Sequence, residues 1–529
     1  MVVESLRALG ASAVFGLPGI HLLPIWEALR QSEIRTYGFR TELNAGFAAH
    51  GWAQVSGRPA PLLLSTGPGA LNSLTALMES ASAHVPVVAV ASQIPSQLIG
   101  RGRGYLHELP DQLASFAPIV KWAARVTCAE QVSDSIAEAW RRAATPPSGP
   151  AYVEIPTDLL SAAAGVPEVR ELDGEARVLP LPPEAVLAEA SHLLSTLPDP
   201  AIWAGGGLIR SGGWGELKVL AERLDAPVAT TYMGKGAFPE DHALSVGSPC
   251  DDPAFRELLS RAGVVLCVGT ELGAETTGHY AMEFSGRLIH VDADPARIGA
   301  TYQALGLVGD ARAILHELVR LVTARSRAGH GEARARGVRE RAQCELDAPG
   351  HALERGLLRT VRSVLPRNGV SAWDMTILSY WAAAHFPALE PRRFLYPLGS
   401  GTLGYAWPAA LGARAALPGT PTLAVVGDGG FLYALTELLS ARQHGLAAKL
   451  LLIDDCGYGV LREYQRDAYG EVHGVDLTQP DFESLISACG VPARTTTGER
   501  IDTDLAWALE VEGPAAIVLR ERLASQVPA

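Results

Sequence analysis

Asp428 and Asp455 are the residues whose type and spacing most readily suggest chemistry. Each follows an apolar run: Leu423 to Val426 leads into Gly427-Asp428-Gly429-Gly430, and Leu450 to Ile453 leads into Asp454-Asp455-Cys456-Gly457. Between them Phe431, Leu432, Leu435, Leu438 and Leu439 keep the i, i+1, i+4, i+7, i+8 spacing of one helix face, and Gly445 supplies a stop. The pattern predicts strand, helix, strand. In a parallel sheet both strand ends face one rim, where open α/β sheets hold their ligands. Two carboxylates beside a helix N-terminus and several glycines suit a hard cation such as Mg2+ bridging to a phosphate. The same residues also suit an ordinary strand-helix-strand unit with a glycine turn, and on their own they leave both readings open.

The interval favours the first reading. Asp455 follows Asp428 by 27 residues, and the stretch is similar to the thiamine diphosphate (ThDP) signature, Gly-Asp-Gly followed by an Asn-Asn pair. The resemblance implies that Asp428, the side chain at 455 and the backbone carbonyl of Gly457 ligate Mg2+. It also implies that Gly427, Gly429, Gly430, Tyr458 and Gly459 complete the diphosphate cradle. Asp454-Asp455 departs from the Asn-Asn pair: an oxygen donor remains, with added negative charge, so metal binding is expected to survive and to depend more on pH.

Further stretches resemble the same family, in order. Arg40-Thr41-Glu42 stands where ThDP enzymes carry Arg-His-Glu. A glutamate at a helix start is by itself only a favourable charge near the dipole. The resemblance makes Glu42 the acid that hydrogen-bonds the cofactor's pyrimidine, a role suited to an apolar pocket. Gly67-Pro68-Gly69, with Asn72, resembles the loop that approaches that ring. Gly401-Thr402-Leu403-Gly404 is similar to a GxGTMG motif, in which Leu403 would be the wedge that bends the cofactor. His107, in GRGRGYLHELPDQ, stands near a position able to move protons on the substrate side, although a single His is more often structural. Val460, Leu461 and Tyr464 match a cavity wall. Glu271, in VGTELG, replaces an Arg of acetolactate synthases and would suit a cationic substrate tail. AGGGLIRSGG (204–213) invites a nucleotide reading, but Arg210 takes the place of the third glycine, so FAD is unsupported.

The resemblance covers essentially the whole chain. Within the family it points to the acetolactate-synthase-like branch, and RGYLHELPDQ, VGTELG and GSGTLGYAWPAALGA most resemble 5-guanidino-2-oxopentanoate (2-ketoarginine) decarboxylases. It implies ThDP- and Mg-dependent decarboxylation of a small-molecule 2-oxo acid through an enamine intermediate. The alternative is carboligation, as in acetolactate synthase. A remote alternative, prompted by Thr41 and Asp454-Asp455, is a non-catalytic ThDP-fold regulatory or assembly subunit. The family's sites lie between subunits, which implies a homodimer or homotetramer.

The elements that must position these residues are those of an α/β chain with three doubly wound parallel-sheet domains, expected at 1–165 (pyrimidine-binding), 185–323 (central) and 350–529 (diphosphate-binding). Short apolar runs such as PLLLST, VPVVAVA, AYVEIP, AIWAGG, GVVLCVG, RLIHVDA and AAIVLR alternate with helical patterns. A Pro- and charge-rich stretch near 165–185 and an Arg/Glu-rich one near 324–345 mark the joins. The length of 529 residues fits about three domains. A net charge of −13 argues against nucleic acid as a partner. Six cysteines (128, 250, 267, 344, 456 and 489) without a CxxC pair suit a reducing cytoplasm. No run approaches the roughly 20 apolar residues of a membrane helix, and the start of the chain lacks a signal-peptide pattern. The expectation is a cytoplasmic protein without membrane or nucleic-acid partners.

Overall fold

The computed structural model describes residues 1–161, 172–325, 329–347 and 350–525. Three six-stranded sheets follow one another along the chain. The first contains β1 (Ala13–Gly16), β2 (Arg35–Gly38), β3 (Ala60–Leu64), β4 (Val87–Gln93), β5 (Trp122–Arg125) and β6 (Ala151–Pro156). The second contains β7 (Ala201–Ala204), β8 (Val228–Thr230), β9 (Ser245–Gly247), β10 (Val264–Val268), β11 (Arg287–Asp292) and β12 (Leu305–Val308). The third contains β13 (Val370–Trp373), β14 (Phe394–Leu395), β15 (Thr422–Gly427), β16 (Lys449–Ile453), β17 (Ala493–Thr496) and β18 (Ala515–Leu519). Their strands pair in parallel. Helices must cover both faces of such sheets, which is why central strands such as Val264–Val268 are buried throughout instead of alternating.

The first and third sheets share one topology. Their orders, β2-β1-β3-β4-β6-β5 and β14-β13-β15-β16-β18-β17, are the same order in successive numbering, whereas the middle sheet runs β12-β11-β10-β7-β8-β9. The outer sheets therefore form a related pair flanking a doubly wound domain of another order. In each outer sheet the order reverses between the first and third strands, the crevice at which open α/β sheets take ligands.

The outer domains also meet within the chain. Helix Glu42–Ser56 crosses helix Ala406–Ala416 with backbones in contact: a Cβ on Gly51 would lie 2.1 Å from Ala409 O, and one on Gly412 would lie 1.8 Å from Ala48 O. Phe47, Trp52, Tyr405 and Trp407 surround this crossing in a single core that joins the two sheets.

One expectation needs correction. The helix expected after Asp428 is broken into Asp428–Phe431 and Glu437–Gln443, with i→i+3 bonds such as Tyr433 N–H to Gly430 O and Ala434 N–H to Phe431 O between them. Adjacent Gly429 and Gly430 give little support to a regular helix, and the tighter winding rotates the apolar stripe. Phe431 and Leu438 are buried, but Leu432 and Leu439 are exposed. Within the Arg-rich join, helix His330–Leu346 buries Ala335 and Val338 in a core shared with the middle domain. The first part of the other join, 165–171, lies outside the described residues.

Candidate active site

At the rim of the third sheet, Gly427 pairs with Ile453, so the chain emerges from β15 and β16 side by side at Asp428 and Asp454-Asp455. Asp428 is buried. Its Oδ1 accepts the N–H of Gly429 at 2.7 Å, and its Oδ2 accepts the N–H of Gly457 at 2.9 Å and a donation from Gln479 Nε2. The glycines permit close approach: a Cβ on Gly459 would lie 2.2 Å from Asp455 Oδ2, and one on Gly429 would lie 2.5 Å from the Tyr458 ring. Gly430 backs onto Asp374, with its ideal Cβ position 3.0 Å from Asp374 Oδ1.

The electrostatics of this loop suit a cation. Burial, and then the charge of Asp455, push the Asp428 carboxyl up to about 7. Burial raises Asp455 as well, against the pull of Arg462. Ionising both groups without a cation is therefore costly. Among the described residues no three His, Cys, Asp or Glu side chains gather as a metal cluster, so a cation here would rely on the two carboxylates, the Gly457 carbonyl and oxygens of a ligand. That hard-oxygen set fits Mg2+ and a diphosphate. Gln479 Oε1, beside Asp428, is a buried acceptor without a partner.

Each extra aspartate has an arginine. Arg462 Nη1 lies 3.6 Å from Asp455 Oδ2, and Arg520 Nε lies 3.2 Å from Asp454 Oδ2. Arg462 is buried on helix Gly459–Tyr469 and also binds Asp476 and the carbonyl of Cys456. On the same helix Leu461 and Tyr464 are exposed and Val460 is half-buried.

The neighbouring loop carries Gly401, Thr402 and Leu403, with Leu403 half-buried. Asp374, just beyond β13, fixes its far end by accepting the N–H groups of Gly404 and Ala406, both at 3.1 Å. Burial pushes Asp374 up to about 6. Glu79, from the first domain, fixes the near end: its Oε2 accepts from Ser400 N–H at 2.7 Å and Ser400 Oγ at 2.6 Å.

The rim of the first sheet gathers the other expected residues. Thr41 caps helix Glu42–Ser56, its Oγ1 accepting the N–H of Asn44 at 3.2 Å, as an N-cap should. Glu42 follows, 8% exposed. Its Oε2 accepts from Asn72 Nδ2 at 3.3 Å, and a Cβ on Gly69 would lie 2.9 Å from its Oε1. Pro68 starts the short turn Pro68–Leu71. Gly67, at φ +67°, packs against His107, whose carbonyl oxygen would lie 2.7 Å from a Cβ there.

Two rims with the same strand order thus carry a buried glutamate within glycine-rich turns and a buried aspartate pair within a glycine cradle. Comparison with known proteins gives this pairing its context. Residues 1–115 match the thiamine pyrophosphate enzyme N-terminal TPP binding domain, 187–318 the central domain and 374–519 the C-terminal TPP binding domain. A protein of Pseudomonas aeruginosa named as a probable 2-ketoarginine decarboxylase is 35% identical over 99% of this chain and 94% of its own length. The chain belongs to the thiamine diphosphate enzyme family.

An acetolactate synthase of Mycobacterium bovis is 32% identical over 92% of this chain and 82% of its own length, and isozyme 1 of Escherichia coli is 28% identical over 88% and 82%. With these relatives the chain shares the ThDP-enzyme domains along nearly its whole length. None of its described helices is long and apolar enough to cross a membrane.

Glu271 does not join either rim of the ThDP enzyme. It binds His84 at 2.9 Å and Arg297 at 3.3 Å, in a cavity of about 280 Å³ that Arg210, Asp292 and Arg392 also line. The strand end after β10 turns at Leu272 (φ +52°) and sends the next acid, Glu275, elsewhere. The charge of Glu275 bears on Tyr380 and Tyr396; Tyr380, pushed up to about 12 chiefly by burial, also feels Tyr464. The glycines after β7 do not fit a dinucleotide. The N–H groups of Gly205 and Gly207 donate to Val268 O and Gly269 O, both at 2.9 Å, leaving them unable to cradle a pyrophosphate. Arg210 lies over Gly206 and binds Ala83 O.

Proposed function

We propose that the chain decarboxylates a 2-oxo acid with a cationic tail, 5-guanidino-2-oxopentanoate foremost, with ThDP and Mg2+ held between two copies of the chain. The carrying observation is the pair of rims, one centred on Glu42 and one on Asp428, together with the relative that is 35% identical over nearly the whole chain and carries the 2-ketoarginine decarboxylase name. The chemistry that ThDP supplies when bound is a carbon nucleophile for the keto group and a sink for the electrons left by CO2.

The chain's own residues do the rest. Asp428, Asp455 and the Gly457 carbonyl would hold Mg2+, with Gly427, Gly429, Gly430, Tyr458 and Gly459 around the diphosphate. Glu42 would hydrogen-bond the cofactor's pyrimidine from a buried position, where competition from water is least. Gly67, Pro68, Gly69 and Asn72 would support that ring, and Gly401, Thr402 and Leu403 would pack against the cofactor. His107 moves protons on the substrate side. Val460, Leu461 and Tyr464 wall the cavity, and Glu275, in place of Glu271, attracts the guanidinium tail.

The partners of Glu42 come from the first domain and those of Asp428 from the third. Ile20, Leu106, Tyr433, Leu461 and Tyr464 are large apolar or aromatic residues left exposed. A second copy that covered these residues would at the same time supply the opposite rim.

Carboligation is the second reading, supported by the acetolactate synthases among the relatives. Comparing CO2 release from pyruvate, 2-oxobutyrate and 5-guanidino-2-oxopentanoate, with and without ThDP and Mg2+, tests the proposal. A preference for the guanidino acid supports it; a preference for pyruvate refutes the substrate.

A further inference from the structure

Three of the histidines are held by hydrogen bonds in the packed interior. His50 is fully satisfied, with Nδ1 on Ser80 Oγ and Nε2 on Gln54 Oε1, both at 3.1 Å. His290 binds Thr270 O at 2.8 Å, and His444 binds both the N–H and the carbonyl of Gly38. These rings are accounted for by packing. His21 and His107 are not: among the described residues neither ring has a hydrogen-bond partner, and His21 Nδ1 is fully buried. A buried polar atom left open is costly, so its retention asks for another explanation.

The two rings belong to different loops, one following β1 and one following β4, that meet at the same sheet rim. Their centroids are 5.3 Å apart with planes at 84°. Tyr105 also stacks on His21, with centroids 6.0 Å apart. Both loops are anchored on the turn that supports Glu42: a Cβ on Gly19 would lie 2.3 Å from Ser65 Oγ, and Gly67 packs on the His107 backbone. His107 itself sits at φ +68°, an uncommon conformation for a residue with a side chain. Burial, and then the charge of His107, lower the pKa of His21. Glu108, the nearest acid in sequence, is turned to the loop's own N–H groups at 103 and 105.

We propose that His21 is a positioning residue for proton delivery, its ring packed edge-to-face against His107 and holding it in register. The proposal rests on the decarboxylase reading above and adds a residue to it. Loss of CO2 leaves an electron pair on the carbon that carried the carboxylate. The His107 imidazolium would give its N–H proton to that carbon, the released aldehyde would carry it, and the half-buried His107 would regain a proton from water. One proton is consumed for each CO2 and aldehyde formed. A site that protonates this carbon quickly releases aldehyde before a second carbonyl can add.

The test compares His21→Ala and His21→Gln with wild type in two ways. In the ThDP-free protein, the His107 Cε1 resonance of a carbon-13 histidine-labelled sample should move on loss of the His21 ring. In the loaded enzyme, kcat for aldehyde release should fall by about 10-fold or more with KM little changed, the carboligated fraction should rise, and added imidazole should restore part of the rate in His21→Ala. An unmoved His107 resonance, or unchanged kcat and product ratio, would overturn the proposal. Absence of CO2 from every 2-oxo acid in the wild-type enzyme would refute the decarboxylase reading instead, and the resonance would still report whether the pair exists.

Discussion

Arg462 Nη1 lies 3.6 Å from Asp455 Oδ2, so the carboxylate that replaces the family's asparagine carries its own counter-charge. Both side chains are largely buried, where a lone charge is costly. Arg462→Met should therefore weaken Mg-dependent ThDP binding by about 10- to 100-fold, the usual effect of losing support behind a ligand. Asp455→Asn in the same background should recover much of the loss. Titration calorimetry checks both, and equal affinities in wild type and Arg462→Met would contradict the pairing.

Glu42 and Asp428 are proposed to serve one site from two chains. Glu42→Gln should lose proton exchange at the reactive carbon of bound ThDP and at least about 10²-fold in turnover, and Asp428→Ala should lose cofactor binding. Refolded mixtures of the two inactive variants should regain activity, because a mixed dimer contains one site free of both changes. Size-exclusion fractions assayed for CO2 release show this, and a fully active monomer would refute the shared site.

Asp374 gives a pH signature. Its folded pKa of about 6 lies above the ordinary value of about 4. The folded state therefore binds this proton more tightly, and the contribution is full below about pH 4. It is lost as pH rises through about 6, a change on the order of 3 kcal/mol. In wild type this term lowers Tm as pH rises across that window, and Asp374→Asn should remove it. The variant should also loosen residues 401–406, whose N–H groups lose a charged acceptor. Thermal melts from pH 4 to 7 on both proteins measure the difference, and parallel curves would contradict it.

Glu275→Gln should raise KM for 5-guanidino-2-oxopentanoate by about 10-fold, the scale of one charge-assisted hydrogen bond, and leave pyruvate kinetics little changed. Glu271→Gln should affect neither, since its carboxylate is engaged by His84 and Arg297. Initial-rate kinetics on both substrates decide between the two acids.

The parts of the fold that the sequence revealed are those with local causes. Buried parallel strands read as apolar runs, and β15 and β16 end at the aspartates as the runs predict. Thr41 before Glu42 is a helix cap, a pattern visible in the residues although its role was not read there. The rest depends on contacts across the chain. Asp374 matters because β13 brings it beside residues 404–406, and Gln479 reaches Asp428 from 51 positions away. Glu271 and Glu275 are four residues apart, but a left-handed turn at Leu272 parts them. The stripe through Leu432 and Leu439 was read with a regular helical period that the tighter turn does not keep.

The most direct test supplies ThDP, Mg2+ and 5-guanidino-2-oxopentanoate to the purified protein and measures CO2 together with the aldehyde one carbon shorter. The account predicts equal amounts of both, lost when either ThDP or Mg2+ is withheld. Cofactor-independent CO2 release, or acetolactate formed from pyruvate with no aldehyde from the guanidino acid, would contradict it.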